Sequence, residues 1–209
     1  MEALWPEQPP NRQRLATIVS RARATLGKSP DGDDYLPTKP RGDLYQVSAQ
    51  LGCDLERFTH HVQAAAKANP ADAQPRLRAA LELVEGRPFN GIGNAYGWAH
   101  TEGIITHVIV AVDNVAHRLA QLALDANDTA LAMWVARQGL TATGVCEECY
   151  RNLMRCAIAE NNQTALDATL EELTVVMDAD DGPDAVTYLE QDTIELYEQH
   201  RRNRRSHAE

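Results

Sequence analysis

The chain has 209 residues, 44% apolar and only 5% aromatic, with a formal net charge of -10. That length buries one core, or one core plus a small appended module, and the preponderance of Ala, Leu, Glu, Gln and Arg predicts a mainly α protein. The acidic total excludes indiscriminate nucleic-acid binding unless a local basic patch intervenes, and no apolar run approaches the roughly 18 residues that a membrane span needs.

The charge is uneven along the chain. Residues 1–50 carry seven Lys+Arg against six Asp+Glu, whereas the rest carries thirteen against twenty-four. Three segments are therefore expected: a module over 1–50, a larger acidic module over 51–200 and a basic tail over 201–209. With no basic-then-apolar leader at the start, a cytoplasmic location without membrane contact is expected. Four cysteines, Cys53, Cys146, Cys149 and Cys156, then read as reduced thiols rather than a disulfide framework.

The stretch NRQRLATIVSRARATLGK, residues 11 to 28, holds Arg12, Arg14, Arg21, Arg23 and Lys28 and no acidic residue. Leu15, Ile18, Val19, Ala22 and Leu26 recur at helical spacing, so they form one apolar stripe. Arg14, Thr17 and Arg21 share the opposite face, and Gly27 stands where a helix C-cap belongs. After the turn-rich SPDGDD comes YLPTKPRGDLYQVS, in which Tyr35-Leu36 and Leu44, Tyr45, Val47 flank a Pro/Gly connection bearing Lys39 and Arg41; this predicts a β-hairpin with a basic tip. A helix with an Arg/Thr face followed by a basic hairpin has the layout of a recognition helix and wing, with Arg14, Thr17 and Arg21 toward the major groove and Arg12, Arg23, Lys39 and Arg41 toward phosphates. On pattern alone, a surface helix whose arginines merely solvate it fits equally well.

LWPEQPP, the Leu15 to Gly27 pattern centred on VSRARATLG, and the YLP and LYQV strands resemble the C-terminal half of the response-regulator-type winged helix-turn-helix of the actinobacterial antibiotic regulatory protein family. The resemblance implies DNA contact through this half. Family members carry a sheet and a first helix ahead of the LWP element, whereas here Met1 stands three positions before Leu4. The expectation is either a piece of a longer protein or a winged-helix remnant docked on the next module.

From residue 54 the pattern predicts helices at about 54–68, 72–85, 99–126, 129–142, 146–160, 163–178 and 184–202, broken by Asn-Pro, Gly-Pro, Asn-Asp and Asn-Asn turns. Ala126-Asn127-Asp128 and Glu160-Asn161-Asn162 recur at the 34-residue tetratricopeptide period, which predicts stacked helix pairs in a right-handed repeat. Cys53 to Phe58, the LRAALELVEGRPF run, YGWA and CYRNLMRCAIAENN resemble the tetratricopeptide-like bacterial transcriptional activator domain. GRPF, YGWA and VDNVAHRLA are most similar to activator domains at the C-terminal end of long actinobacterial membrane and peptidoglycan-binding proteins. That resemblance implies a cytosolic regulatory module.

Chemistry-bearing patterns are few. A structural zinc site usually takes two Cys/His pairs, and Cys146-Glu147-Glu148-Cys149 has no second pair, with His107 and His117 on another helix; neither metal nor cofactor is expected. His60 and His61 are adjacent on a helix and point about 100° apart, so they do not share an ion. Asp178, Asp180, Asp181 and Asp184 fit a calcium loop out of register and read as turn acids. Trp98, Trp134, Tyr96 and Tyr150 read first as fillers between helix layers. HRRNRR, from His200, reads as a solvated basic helix end. No nucleophile elbow, phosphate loop or metalloprotease histidine pair occurs, so an enzyme is not expected. The expected function is a transcription-regulatory protein or fragment, touching DNA through the first module and a protein partner or a second copy through the repeat. The alternative is a helical-repeat interaction module that does not bind DNA.

Overall fold

The sequence's Gly, Pro and Asn punctuation becomes a series of helices in the computed structural model, which describes residues 10–38, 45–91, 96–181 and 189–206, with the side chains of 178–181 and 203–206 left aside. The elements are α1 (Arg12–Leu26), α2 (Asp54–Ala66), α3 (Pro70–Leu81), α4 (Gly97–Thr101), α5 (Ile104–Asp125), α6 (Thr129–Thr143), α7 (Glu147–Ala159), α8 (Gln163–Asp181) and α9 (Gln191–Ser206). The protein is thus mainly α, as expected, and among the described residues there is no strand, only an isolated bridge between Lys28 and Asp34.

Several boundaries differ from the sequence pattern for local reasons. The expected 72–85 helix starts earlier because Asn69 caps it, accepting from the Asp72 amide at 3.0 Å, and Pro70 supplies the first turn. The expected 99–126 helix is two, α4 and α5, because Gly103 takes the left-handed region at φ 70. α8 runs on through Asp181, so Asp178, Asp180 and Asp181 belong to a helix rather than to a turn. α9 begins at Gln191, and the earlier part of the expected 184–202 helix lies outside the described residues.

Two units can be distinguished. The first takes residues up to Arg57 together with Gly91–Glu102; it holds α1, the segment that follows it and α4. The second takes Phe58–Asn90 and the chain from Gly103 onward.

Within the second unit, α5 pairs with α6 and α7 with α8, α6 packs on α7, α3 lies against α5 and α6, and α9 lies against α7. This is a tetratricopeptide-like helical repeat. Its core is built mostly from Ala, Val and Leu: Ala73, Leu77, Ala80 and Leu81 of α3 meet Val112, Val115, Ala116, Leu119 and Ala120 of α5 and Val135 of α6. A second cluster gathers Tyr150, Leu153, Met154 and Ala157 of α7 with Leu166 and Leu173 of α8. Small residues at i, i+3 and i+4 let helix axes approach closely, and each large side chain fully buried contributes about 1.5–3 kcal/mol. Tyr150 fills a layer as expected, and Trp134 packs partly buried against the core with the Arg78 guanidinium 5.3 Å above its ring.

Candidate functional site

In α1, Asn11 caps the first turn, its side chain accepting from the Arg14 amide at 2.8 Å, and Gly27, at φ 73, closes the last by donating to the Arg23 carbonyl. Leu15, Ile18, Val19, Ala22 and Leu26 are half-buried along one side, while Arg12, Arg14, Thr17 and Arg21 are exposed on the other. The helix contains no acidic residue. Among the described residues, none forms an ion pair with Arg12, Arg14 or Arg21. The Thr17 hydroxyl donates back to the Gln13 carbonyl at 3.1 Å and keeps its oxygen lone pairs for a donor from outside.

Arg23 is in addition engaged within the protein. Its Nε and Nη2 donate to the Leu36 and Pro37 carbonyls, both at 2.9 Å, tying the last turn of α1 to the segment after the loop. A guanidinium held by two carbonyls braces the helix end against that segment.

Among the described residues, the expected hairpin between Tyr35-Leu36 and Leu44 to Val47 shows no paired strands, and Leu44 lies outside them. Chain reversal occurs earlier, in SPDGDD. Gly32 at φ 89 makes the turn, the Ser29 amide donates to the Asp33 carbonyl at 2.8 Å, and the Tyr35 amide reaches the Gly27 carbonyl at 3.3 Å. Lys28 lies 3.9 Å from Asp34 across this bridge. Among the described residues, a bond from the Ser48 amide to the Tyr35 carbonyl at 2.8 Å joins the two arms of the expected hairpin. Its tip, with Lys39 and Arg41, lies outside the described residues.

The second unit contains a polar cluster that sequence reasoning missed. Arg151 of α7, its side chain 8% exposed, donates to Glu148, to Glu190 and, at 3.0 Å, to the Thr193 hydroxyl. Thr193 in turn donates to Glu147 at 2.7 Å, and the Glu190 amide donates to the same carboxylate. Arg155 and the His117 ring also contact Glu148, at 2.8 and 3.1 Å. Burial pushes the Glu148 carboxyl up, but the hydrogen bonds from Arg155 and Arg151 outweigh it and hold the group below its ordinary range. The cluster pins the start of α9 to the start of α7. The i, i+3 and i+4 spacing of Glu147, Glu148, Arg151 and Arg155 was a usable signal; the distant partners were not.

At the same end of α7, Cys146 caps the helix, and Cys149 is buried beneath it. The Cys146 and Cys149 sulfurs and a carboxylate oxygen of Asp113 on α5 lie within 4.8 Å of one another, the set among the described residues with a metal-ligand arrangement. Cys149, Leu153 and Cys156 are all buried, as their shared helix face implied. No described helix is long and apolar enough to cross a membrane. In the basic helix end, Arg201 lies 5.7 Å over the Tyr197 ring and Arg202 lies 3.9 Å from Glu198.

Residues 53–178 match the family described as the bacterial transcriptional activator domain. Among solved structures, the chain is similar to Mycobacterium tuberculosis EmbR in complex with a low-affinity phosphopeptide, at 22% identity and a TM-score of 0.59. That likeness is one of fold; it covers 97% of this chain and 53% of that one, so the chain spans about half the length of that protein. No curated protein matches.

Proposed function

The chain belongs to the bacterial transcriptional activator domain family, and we propose that it is a transcription-regulatory protein, or part of one, that touches DNA through α1 and a protein partner or second copy through its helical repeat. The observation that supports DNA contact is the acid-free face of α1, on which Arg12, Arg14 and Arg21 stand exposed beside Thr17 in a chain of opposite net charge. An isolated cationic face on an acidic molecule orients it toward a polyanion while the remainder is repelled, which favours one docking pose over many.

In this reading α1 is the recognition helix of a winged helix-turn-helix half. Arg14 and Arg21 reach guanine edges bidentately, Thr17 contacts a base or a thymine methyl, and Arg12, Lys39 and Arg41 neutralise phosphates. Arg23 holds the following segment in register through Nε and Nη2 and turns the rest of its N–H fork to a phosphate. The likeness to EmbR, a Mycobacterium tuberculosis protein, supports an actinobacterial regulator of this kind. The GRPF, YGWA and VDNVAHRLA segments support a place at the cytoplasmic C-terminal end of a longer membrane-anchored protein. The repeat provides the protein contact through side chains such as Val110, Met133 and Val175, which lie exposed on α5, α6 and α8.

The test is a fluorescence-anisotropy titration of the full chain with genomic DNA fragments over a salt series. Affinity falls as salt rises, with a logarithmic slope of about -0.9 per phosphate neutralised. The doubly reversed Arg14→Glu/Arg21→Glu protein loses binding at low salt. Equal binding by that variant, or none by the parent, leaves a protein-interaction module without DNA contact.

A further inference from the structure

The thiols that open α7 have a third neighbour that the sequence order hides. Asp113 lies 33 positions before Cys146, yet the Cys146 thiol donates to Asp113 Oδ1 at 3.0 Å. Cys146 Sγ also accepts the Cys149 amide at 3.2 Å, so a backbone N–H already points at the first sulfur. A tetrahedral zinc ion with bonds of about 2.3 Å to sulfur and 2.0 Å to oxygen sets its donor atoms roughly 3.5–3.8 Å apart. Two sulfurs and one oxygen within 4.8 Å of one another come near that spacing.

The electrostatics separate this cluster from a reactive dithiol. A nucleophilic or readily oxidised cysteine needs positive surroundings that stabilise its thiolate. Here the Asp113 carboxylate lies 3.0 Å from the Cys146 sulfur, and among the described residues no Lys or Arg is paired with that carboxylate. The field that discourages a bare thiolate is the field that attracts a dication, whose charge then offsets both thiolates and the carboxylate. His117, one turn beyond Asp113 on α5, is engaged by Glu148 at 3.1 Å.

We propose that Asp113, Cys146 and Cys149 form a zinc site with one open coordination position, joining α5 to the start of α7. Binding replaces two S–H bonds with two Zn–S bonds and releases two protons to solvent; the carboxylate binds without proton loss and nothing is oxidised. Zinc, rather than calcium or magnesium, is the ion because two of the three donors are soft thiolates. The site bridges successive helix pairs, so occupancy stiffens the repeat.

The experiment uses the full chain purified with a reductant, stripped by chelator, then incubated with zinc or with cobalt(II) and desalted. The expected result is one metal per chain by elemental analysis, a thiolate-to-cobalt charge-transfer band, and a higher Tm with zinc. Cys146→Ser abolishes the band, Asp113→Asn weakens binding at least about tenfold, and Cys53→Ser, at an exposed thiol, changes neither. Asp113→Asn serves as the deciding variant where circular dichroism shows Cys146→Ser to be misfolded. The proposal is overturned if the parent retains no metal, if Asp113→Asn binds zinc as the parent does, or if Cys146 and Cys149 are found joined as a disulfide in metal-free protein prepared with reductant.

Discussion

Asn127 and Asn161 stand 34 residues apart and hold the same left-handed backbone, with φ of 56° and 52°. Their surroundings repeat as well. The next amides, Asp128 and Asn162, donate to the Ala123 and Ala157 carbonyls, both at 2.8 Å. The side chains of those same residues then cap α6 and α8, accepting from the Leu131 and Ala165 amides at 2.9 and 3.1 Å. Each three-residue turn therefore ends one helix and starts its partner. A left-handed backbone costs an ordinary residue about 1–2 kcal/mol, and Asn less. Asn127→Ala and Asn161→Ala are each expected to lose about 1 kcal/mol in urea unfolding, while the Gly variants are at least as stable as the parent. Equal stability of Ala and Gly variants at both sites would show that the turns are not left-handed in solution.

Gly139 of α6 leaves the space in which Cys149 sits. A Cβ at position 139 would lie 2.8 Å from Cys149 Sγ and 3.1 Å from the Ala116 Cβ. Overpacking of this kind costs about 1–3 kcal/mol, against a gain of about 1 kcal/mol in helix propensity. Gly139→Ala is expected to be less stable than the parent by up to about 2 kcal/mol. In the presence of chelator, the double variant Gly139→Ala/Cys149→Ala recovers part of that loss, a coupling measurable by a double-mutant cycle. Additive effects would place the clash elsewhere.

What was legible in the sequence follows from the range over which each feature is decided. The stripe from Leu15 to Leu26, its Gly27 cap and the 34-residue turn chemistry are each settled within a few residues, so spacing alone revealed them. Gly103 was hidden because a glycine within an apolar helical pattern reads as tolerated, and only its backbone angle shows that it parts α4 from α5. The turn chemistry of SPDGDD is legible, but the bridge it closes is not, because Lys28 and Asp34 are too close in sequence to look like strands. Long-range polar partners had no local trace: Asp113 meets Cys146 33 residues away, and Arg151 meets Glu190 and Thr193 at separations of 39 and 42.

Arg23 and Arg14 are predicted to separate stability from binding. Loss of the two Arg23 bonds to the Leu36 and Pro37 carbonyls costs about 1.5–3 kcal/mol, since each involves a charged donor. Arg23→Ala is therefore expected to speed amide exchange in the last turn of α1, whereas Arg14→Ala and Arg21→Ala stay within about 0.5 kcal/mol of the parent. Unchanged exchange in Arg23→Ala would remove its bracing role.

Arg151 carries the docking of α9. Its removal strands the half-buried Glu148 beside one fewer cation and leaves the fully buried Thr193 hydroxyl without a donor. Breaking a buried pair by deleting one partner costs about 3–5 kcal/mol; because Glu190 is more than half exposed, the expected loss for Arg151→Ala is at the lower end, about 3 kcal/mol. The α9 amides around Thr193 should lose hydrogen-exchange protection before those of α5. Uniform loss of protection across all helices would argue that α9 is not held separately.

The pair Arg137 and Glu172 gives a pH-dependent contribution. The Arg137 guanidinium donates to both Glu172 carboxylate oxygens and holds that carboxyl below its ordinary value of 4.5, against the opposing effect of partial burial; Tyr150 adds a bond at 3.2 Å. A carboxyl with a lowered folded pKa stabilises the fold above the unfolded value and ceases to do so as pH falls through the folded one. Both side chains are substantially exposed, so solvent screening limits the pair to about 0.2–1 kcal/mol. The difference in unfolding free energy between the parent and Glu172→Gln is expected to be constant from neutral pH down to about 4.5, then to shrink toward zero with further acidification, and to shrink at neutral pH in high salt. A difference that grows on acidification would mean that Glu172 is stabilised in its protonated form, with Arg137 turned away.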